Sequence, residues 1–325
     1  MIAVAVGVDI GGTGTKLGLI SREGKIIAKS KFDTRQYSSE TDYLVALRAN
    51  VETLLAQPAT PVEMVGIGIG APKANYFTGR VEGAVNLLWS ESVDIQEYLF
   101  QYFGVSVLIT NDANLAAVGE KTYGSAKNMK NFLVVTIGTG LGCGIYIDGK
   151  LFHGISDVAG ELGHTCVKSG GRRCQCGRYG CLEAYVSGKG IVRTAMELLS
   201  KFEHQSVLRS LPSSELTATM ISEAAIKGDP VGKLVMDYTG DMLGYKLAEA
   251  IALFNPEAIF LSGGVANTGD LLLTPTIKSI NQYLYPTYPD AVNVNLSLLK
   301  DDEMAVLGGG AIVWEHMERN MTIIN

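Results

Sequence analysis

Residues 5–20 read AVGVDIGGTGTKLGLI, which is an apolar strand, a tight glycine-rich turn and a second apolar strand. Residues 132–148, FLVVTIGTGLGCGIYID, repeat this order with a Gly/Thr turn in the middle. Along the rest of the chain, strand patterns alternate with helical patterns, which is typical of the α/β class. The two similar units predict an α/β protein with two duplicated lobes that face one another with a ligand between them.

The other elements follow from residue spacing and turn signals. A strand over 25–32 follows the polar turn SREG and completes an antiparallel meander with the first two strands. Further buried strands are predicted over 64–70, 105–110 and 258–264. Helices are predicted over 42–56, with Thr41 as the cap, over 241–254, and from about Ala305 onward.

The composition is that of a globular protein without a nucleic-acid or membrane interface. Its 325 residues are 47% hydrophobic and 18% charged, and a chain of this length predicts two domains. The 27 basic and 33 acidic residues give a net charge of −6, without a dense basic cluster. Apolar runs are short, and the N-terminus lacks the basic start of a signal peptide. We expect a cytoplasmic protein that binds neither nucleic acid nor membrane.

The 38 glycines gather in short motifs: DIGGTG, GIGIGAPK, TIGTGLGCG, LSGGV and LGGGAI. We expect these motifs to lie at strand ends, where glycine lets the backbone approach a ligand, and phosphate is the ligand they indicate. In the first motif, backbone N–H groups, Thr13 and Lys16 can surround a phosphate, with Asp9 toward a metal ion. GTGLG, 138–142, offers a second set of N–H donors. The alternative is an ordinary hairpin, since the first motif is not a P-loop.

The stretch TNDANLAAVGE, 110–120, places Asn111 and Asp112 where a buried strand ends and a helix begins. In open α/β sheets, ligands bind outside the carboxyl ends of the strands, so these side chains are candidates for substrate contact. The alternative is that Asp112 only caps the helix. The other ligand-like turns at strand ends favour the functional interpretation.

Residues 161–183, ELGHTCVKSGGRRCQCGRYGCLE, hold four soft metal ligands in a glycine-rich loop: His164, Cys174, Cys176 and Cys181. Four nitrogen and sulfur ligands fill a tetrahedral Zn²⁺ and leave no open position, which is typical of a structural zinc site. Free thiols in a reduced compartment are the alternative. The carboxylates at each end of the loop, Glu161 and Glu183, are either solvated or accept hydrogen bonds from sugar hydroxyls.

Taken together, these motifs resemble the ROK family (repressor, open reading frame, kinase), which contains sugar kinases and sugar-responsive repressors with the actin-like ATPase fold. The resemblance runs from DIGGT through NLLW, ND, GTGLG, ELGH and CQCGRYGCLE to LSGG and LGGG. The pairing of ELGH with CxCGxxGCLE is its most specific part. The glucokinase-like members are the most similar, which implies an ATP-dependent kinase for the 6-hydroxyl of a hexose.

The resemblance assigns roles residue by residue. Asp112 is the general base that takes the proton of the sugar hydroxyl. The hexose contacts are Asn86, Asn111, Asp112, Glu161, His164 and Glu183. ATP and Mg²⁺ are handled by Asp9, Gly11, Gly12, Thr13 and Lys16, and in the second lobe by Gly138, Thr139 and Gly140, with Gly263 and Gly264 near the adenosine. The structural zinc is held by His164, Cys174, Cys176 and Cys181.

The same resemblance predicts the lobes and a homodimer. The N-terminal lobe is 1–115 with 305–325, and the C-terminal lobe, 116–304, carries the second phosphate turn, the zinc loop and the dimer surface. Lys73, in APKAN, stands where many relatives have the last glycine of GxPG, so the preference for glucose over fructose or an N-acetylhexosamine is open. A repressor is not favoured, because only eight residues precede Asp9 and leave no room for a helix-turn-helix.

Overall fold

The computed structural model describes residues 1–83, 87–89, 92–203, 205–286, 292–301 and 303–323. The strands are β1 (Ile2–Ile10), β2 (Gly14–Ile20), β3 (Ile26–Asp33), β4 (Val62–Gly70), β5 (Ala74–Asn75), β6 (Arg80–Val81), β7 (Ser106–Thr110), β8 (Phe132–Ile137), β9 (Leu141–Ile147), β10 (Lys150–Leu151), β11 (Ala258–Ser262) and β12 (Asn293–Leu296). The α-helices are α1 (Glu40–Leu55), α2 (Ile95–Phe103), α3 (Asp112–Thr122), α4 (Glu183–Val186), α5 (Gly188–Lys201), α6 (Ala218–Ile226), α7 (Pro230–Phe254), α8 (Asp270–Tyr283) and α9 (Met304–Ile323). Among the described residues, no helix is both long and apolar enough to cross a lipid bilayer.

The chain forms two compact units. Unit 1 comprises Met1–Met129, Lys150–Ala159 and Leu298–Asn325, and unit 2 comprises Lys130–Gly149 and Gly160–Ser297. The predicted lobes differ from these units, because helix α3 runs through residue 115 and packs against α9 inside unit 1. Residues 116–129, 150–159 and 298–304 therefore group with the first unit, and the division into functional lobes stays a prediction.

The sheet of unit 1 has the strand order β3-β2-β1-β4-β7. Strands β1, β2 and β3 form the predicted antiparallel meander, whereas β4 and β7 run parallel to β1. Asp9 pairs with Gly70 and Gly70 pairs with Thr110, so the carboxyl ends of the three parallel strands lie at one edge. This edge carries Asp9 and, directly after β7, Asn111 and Asp112.

Helix α9 packs on that sheet through glycines on both partners. A Cβ atom added at Gly7 or Gly68 would collide with the backbone of α9, and one added at Gly308 would collide with Leu115 of α3. The LGGG motif therefore lies inside a helix and serves close packing. Our expectation that this glycine run ends a strand and points to phosphate is wrong, because here the missing side chains let two backbones approach each other.

The sheet of unit 2 repeats the arrangement of the first. Strands β8 and β9 are antiparallel, and β11 and β12 continue the sheet parallel to β8. The order β9-β8-β11-β12 thus corresponds to β2-β1-β4-β7. Ser262 pairs with Thr136, which brings the turn after β8 and the SGG motif after β11 to the same edge. The predicted duplication within the α/β class is confirmed.

Candidate active site and metal centre

In unit 1, the turn between β1 and β2 is a tight hairpin closed by a hydrogen bond from Gly11 N to Gly14 O at 3.0 Å. Asp9 and Lys16 are cross-strand partners at its base. The Lys16 Nζ atom lies 3.7 Å from Asp9 Oδ2, and its side chain is 43% exposed. The predicted phosphate-binding residues of this hairpin therefore combine backbone donors, a cation and a carboxylate at one sheet edge.

A buried hydroxyl chain supports this hairpin. The Thr15 hydroxyl lies 2.9 Å from the hydroxyls of Thr34 and Tyr43. The Tyr43 ring packs against Trp89 at an interplanar angle of 34°, with 4.2 Å between ring centroids. No local pattern in the sequence indicates these contacts, because they join segments far apart in the chain.

Asn111 and Asp112 form the start of helix α3. The N-cap Asn111 accepts a hydrogen bond from Ala113 N through Oδ1 at 2.9 Å, and Asp112 Oδ1 accepts from the same N–H at 2.9 Å. These bonds orient both side chains at the positive end of the helix. Asp112 is therefore a helix-start residue, as the alternative interpretation held, and its carboxylate also lies at the sheet edge that was predicted for a ligand.

The two carboxyl groups at this edge have raised pKa values. Burial and, secondly, the charge of Asp112 raise the pKa of Asp9 to about 6, although Lys16 acts in the opposite direction. Solvent reaches the Asp112 side chain, yet the protein packed around it is dense, and this burial raises its pKa above the ordinary value despite the hydrogen bond from Ala113 N. Neighbouring carboxyl groups with raised pKa values are typical of functional sites.

The loop after β4 contains the exposed Lys73 in a left-handed conformation, with φ of 53°. Such a φ favours glycine, which agrees with the glycine that the family resemblance predicts at this position. Farther along the loop, Tyr76 N donates to Asp157 Oδ2 at 2.5 Å, and Asp157 Oδ1 lies 2.5 Å from His153 Nδ1. No pattern in the sequence indicates this link between Asp157 and the loop. Asn86, a predicted sugar contact, lies outside the described residues.

In unit 2, the second glycine turn links β8 to β9. Its Gly138 N donates to Gly140 O at 3.0 Å, and Gly188 N at the start of α5 donates to Gly138 O at 2.8 Å. Gly263, with φ of 95°, packs against the backbone of Ile137 immediately before the turn. Thus the structure brings the predicted phosphate residues 138–140 and the predicted adenosine residues 263–264 to one edge of this sheet.

The four predicted zinc ligands of unit 2 converge. One ligand atom from each of His164, Cys174, Cys176 and Cys181 lies within 4.8 Å of every other. Cys176 Sγ is 3.7 Å from Cys181 Sγ, and Cys174 Sγ is 3.7 Å from His164 Nδ1. Two sulfur atoms on a tetrahedral Zn²⁺ lie about 3.8 Å apart, so this donor set fits zinc.

The surroundings of the cluster affect it in two ways. Burial raises the pKa of the Cys174 thiol to about 12, which opposes the loss of the proton that metal binding requires. Arg172 fastens the loop from inside: its Nη1 donates to Ala184 O at 3.1 Å and to Gly190 O at 3.1 Å, and its Nε donates to Glu197 at 3.0 Å. This buried arginine belongs to the stretch 161–183, but the sequence gives no sign of its role, because its partners lie farther along the chain.

The glutamates that flank the zinc loop have different surroundings. Glu161 Oε2 lies 3.8 Å from His164 Nε2, the ring nitrogen opposite to the one that faces the cysteines. Glu183 Oε2 accepts a hydrogen bond from Leu141 N at 3.0 Å. Glu161 and His164 therefore present a carboxylate and an imidazole beside each other, whereas Glu183 also contacts the strand after the second glycine turn.

Comparison with known proteins gives a family match across most of the chain. The profile of the ROK family matches residues 5–316. The chain is 34% identical to a glucokinase from Halalkalibacterium halodurans over 312 residues, which are 95% of this chain and 94% of that protein. It is 29% identical to a xylose repressor from Caldicellulosiruptor bescii, over 96% of this chain and 78% of that protein.

A solved structure gives the same result. A ROK family glucokinase from Streptomyces griseus, determined in complex with glucose and AMPPNP, superposes with a TM-score of 0.82 at 32% identity, over 95% of this chain and 98% of that one. The similarity over nearly the full length supports the actin-like ATPase fold predicted from the motifs. Both the sequence profile and the structure thus lead to one conclusion: the chain belongs to the ROK family.

Proposed function

We propose that this protein is a glucokinase, which transfers the γ-phosphoryl group of ATP to the 6-hydroxyl of glucose. The observation that carries the proposal is the placement of two carboxyl groups, Asp9 and Asp112, at the carboxyl edge of three parallel strands. The glucokinases among its relatives, one of them solved with glucose and AMPPNP, support the reaction class and the substrate.

In this proposal, Asp112 is the general base. Its carboxylate takes the proton of the sugar 6-hydroxyl as that oxygen attacks the γ-phosphorus, and ADP leaves. The Ala113 N–H holds Oδ1 and orients the carboxylate. The raised pKa of Asp112 makes it a stronger base than an ordinary aspartate. A positioned base of this kind contributes about 10²- to 10⁴-fold in rate.

The phosphate groups of ATP are assigned to the two glycine turns. Gly11, Gly12, Thr13 and Lys16 supply donors and a cation in unit 1, and Gly138, Thr139 and Gly140 supply donors in unit 2. Gly263 and Gly264 are assigned to the adenosine. Mg²⁺, when bound, neutralises phosphate charge, and the oxygen atoms of Asp9 suit this hard cation.

The hexose is assigned to hydrogen-bonding side chains. Asn111 uses Oδ1 for Ala113 N, so its two Nδ2–H donors can serve a hydroxyl. Two of the assigned residues, Glu161 and Glu183, flank the zinc loop, and His164 lies within it. Asn86 is the remaining predicted contact. The zinc would be held by His164 Nδ1 and the three cysteines, which leaves His164 Nε2 for the sugar. A fixed tautomer of this kind is the usual result of metal binding through one imidazole nitrogen.

A substrate panel tests the proposal. The purified protein with MgATP is offered glucose, mannose, fructose, N-acetylglucosamine and N-acetylmannosamine, and ADP release is measured by a coupled assay. Glucose should give the highest kcat/KM. A preference for an N-acetylhexosamine or for fructose would show that glucose is not the substrate. Lys73, which stands where the family resemblance predicts glycine, is the reason to test these sugars. No turnover above ATP hydrolysis with any sugar would refute the kinase.

The general base has its own test. Asp112→Asn should bind glucose with a dissociation constant close to that of the wild type, and its kcat should fall by about 10²- to 10⁴-fold. Calorimetry with glucose separates binding from turnover. Near wild-type turnover in this variant would exclude Asp112 as the base and would leave the kinase reaction to another group.

We also propose a cytoplasmic homodimer. The location rests on the composition and the dimer rests on the family resemblance. Light scattering coupled to size-exclusion chromatography measures the mass directly, and a mass near 34.7 kDa, that of one chain, would refute the dimer.

A further inference from the structure

Glu183 connects the zinc loop to the second glycine turn. It is the first residue of α4 and follows the metal ligand Cys181 by two positions. Its Oε2 accepts from Leu141 N at 3.0 Å, and its Oε1 lies 3.6 Å from Cys174 Sγ. One carboxylate therefore contacts both a metal ligand and the residue that follows the turn 138–140.

The segment that begins with Glu183 holds the turn at a second point. Gly188 N donates to Gly138 O at 2.8 Å. The turn is thus fixed at its start by a backbone N–H and at its end by a carboxylate, both from residues 183–188. The acceptor of the second hydrogen bond is charged, which in general strengthens a hydrogen bond, although this bond of 3.0 Å is longer than the backbone bond of 2.8 Å.

The space around the turn agrees with this arrangement. A Cβ atom added at Gly140 would lie 2.8 Å from Glu183 Oε2, so the carboxylate occupies the space beside this glycine. A Cβ added at Gly138 would meet no described atom within 4 Å. The turn is therefore packed against the carboxylate on one side and open at Gly138.

The zinc loop in turn fixes Glu183. Leu182 N donates to Thr165 O at 2.9 Å, and Val167 N donates to Gly180 O at 2.8 Å, which ties the two strands of the loop together next to the ligands. Cys181 and Leu182 are buried. Because Glu183 follows these packed residues, a change at the metal ligands moves its carboxylate relative to Leu141 N.

We propose that Glu183 is a positioning residue for the nucleotide, through which the zinc loop sets the geometry of the second phosphate turn. The inference rests on the proposed function, since it takes residues 138–140 as part of the ATP site. It differs from the predicted sugar contact of Glu183, because the effect is on nucleotide binding when no sugar is present.

The experiment measures binding of Mg·AMPPNP by calorimetry without sugar. Glu183→Ala should weaken binding about tenfold or more, because Leu141 N–H loses a charged acceptor. Glu183→Gln keeps an acceptor oxygen of the same reach and should recover most of the affinity. Glu203→Gln, an exposed glutamate after the end of α5 in the same unit, is the control and should leave nucleotide affinity within about twofold of the wild type.

A second arm tests the zinc connection by a cycle of perturbations. Zinc is removed with a chelator, metal content is measured by atomic emission, and folded content by circular dichroism. Zinc removal should weaken AMPPNP binding in the wild type and add little to the loss already present in Glu183→Ala, because both changes break the same link.

The outcomes separate the two proposals. Two results would overturn the positioning role without affecting the proposed kinase function. One is a wild-type affinity for AMPPNP in Glu183→Ala, and the other is an equal loss of affinity on zinc removal in the wild type and the variant. Failure of the wild type itself to bind AMPPNP overturns the proposed function together with this inference.

Discussion

Replacing Asp9 with asparagine should stabilise the protein, and the gain should increase with pH. The Asp9 carboxyl group has a pKa of about 6 instead of the ordinary 3.8, mainly because it is buried and secondly because Asp112 lies nearby. The folded state therefore binds this proton more tightly than the unfolded state does. Stability from this group is fully present below pH 3.8 and is lost as the pH rises through 6.

The size of the effect follows from the two pKa values. The difference between 6 and 3.8 corresponds to about 3 kcal/mol of unfolding free energy at high pH. Asparagine carries no charge at any pH, so the variant does not bear this cost. We expect Asp9→Asn to be more stable than the wild type by about 1.5 kcal/mol at pH 5 and about 3 kcal/mol at pH 8.

Urea unfolding curves of both proteins at pH 5 and pH 8, in buffer without Mg²⁺, measure this gain. The matched control is Asp33→Asn in the same unit. Hydrogen bonds from the side chain and backbone N–H of Arg35 lower the pKa of Asp33, which is the opposite direction. The control should therefore show no gain that grows with pH. A stability difference for Asp9→Asn that is equal at both pH values, or larger at pH 5, would refute the reasoning.

Three further predictions concern glycines and the metal. Gly263→Ala should lower the free energy of unfolding by about 2 kcal/mol or more, because a φ of 95° is strained for alanine and the added Cβ would collide with the backbone of Ile137. The control Gly264→Ala should change it far less, because no described atom lies within 4 Å of the added carbon. Gly308→Ala, measured by the same urea curves, should cost about 1–3 kcal/mol, since α9 must move away from α3. Cys181→Ser should abolish stoichiometric zinc in atomic emission, whereas Cys166→Ser, outside the ligand cluster, should retain one ion per chain.

Local patterns were sufficient to predict much of the site. Strand β1 and the turn after it are as the first apolar run and its glycines predicted. The four metal ligands lie within 18 residues, and a compact loop of that length leaves few ways for them to lie apart. Asp112 was placed at the end of a strand because the sequence changes there from a β-branched run to a helical pattern.

Other features depend on residues distant in sequence and could not be predicted. The glycines of LGGG resemble a ligand turn in the sequence, but they lie in α9, and only the partner sheet explains them. The start of helix α7 at Pro230, well before the predicted residue 241, is a different case, because local residues mark it. The predicted start missed the N-cap Asp229 and the proline after it, which mark the first turn.

The sequence by itself determined which groups are available: two glycine turns, a carboxylate at a strand end, and a complete set of zinc ligands. Their types and short spacings are properties of the covalent chain, so no tertiary contact is needed to recognise them. Only the tertiary structure decided how they are connected. Glu183 contacts Leu141, 42 positions away, and Asp9 acquires its raised pKa from burial and from Asp112, because hydrogen bonds and desolvation depend on distance in space and not on distance along the chain.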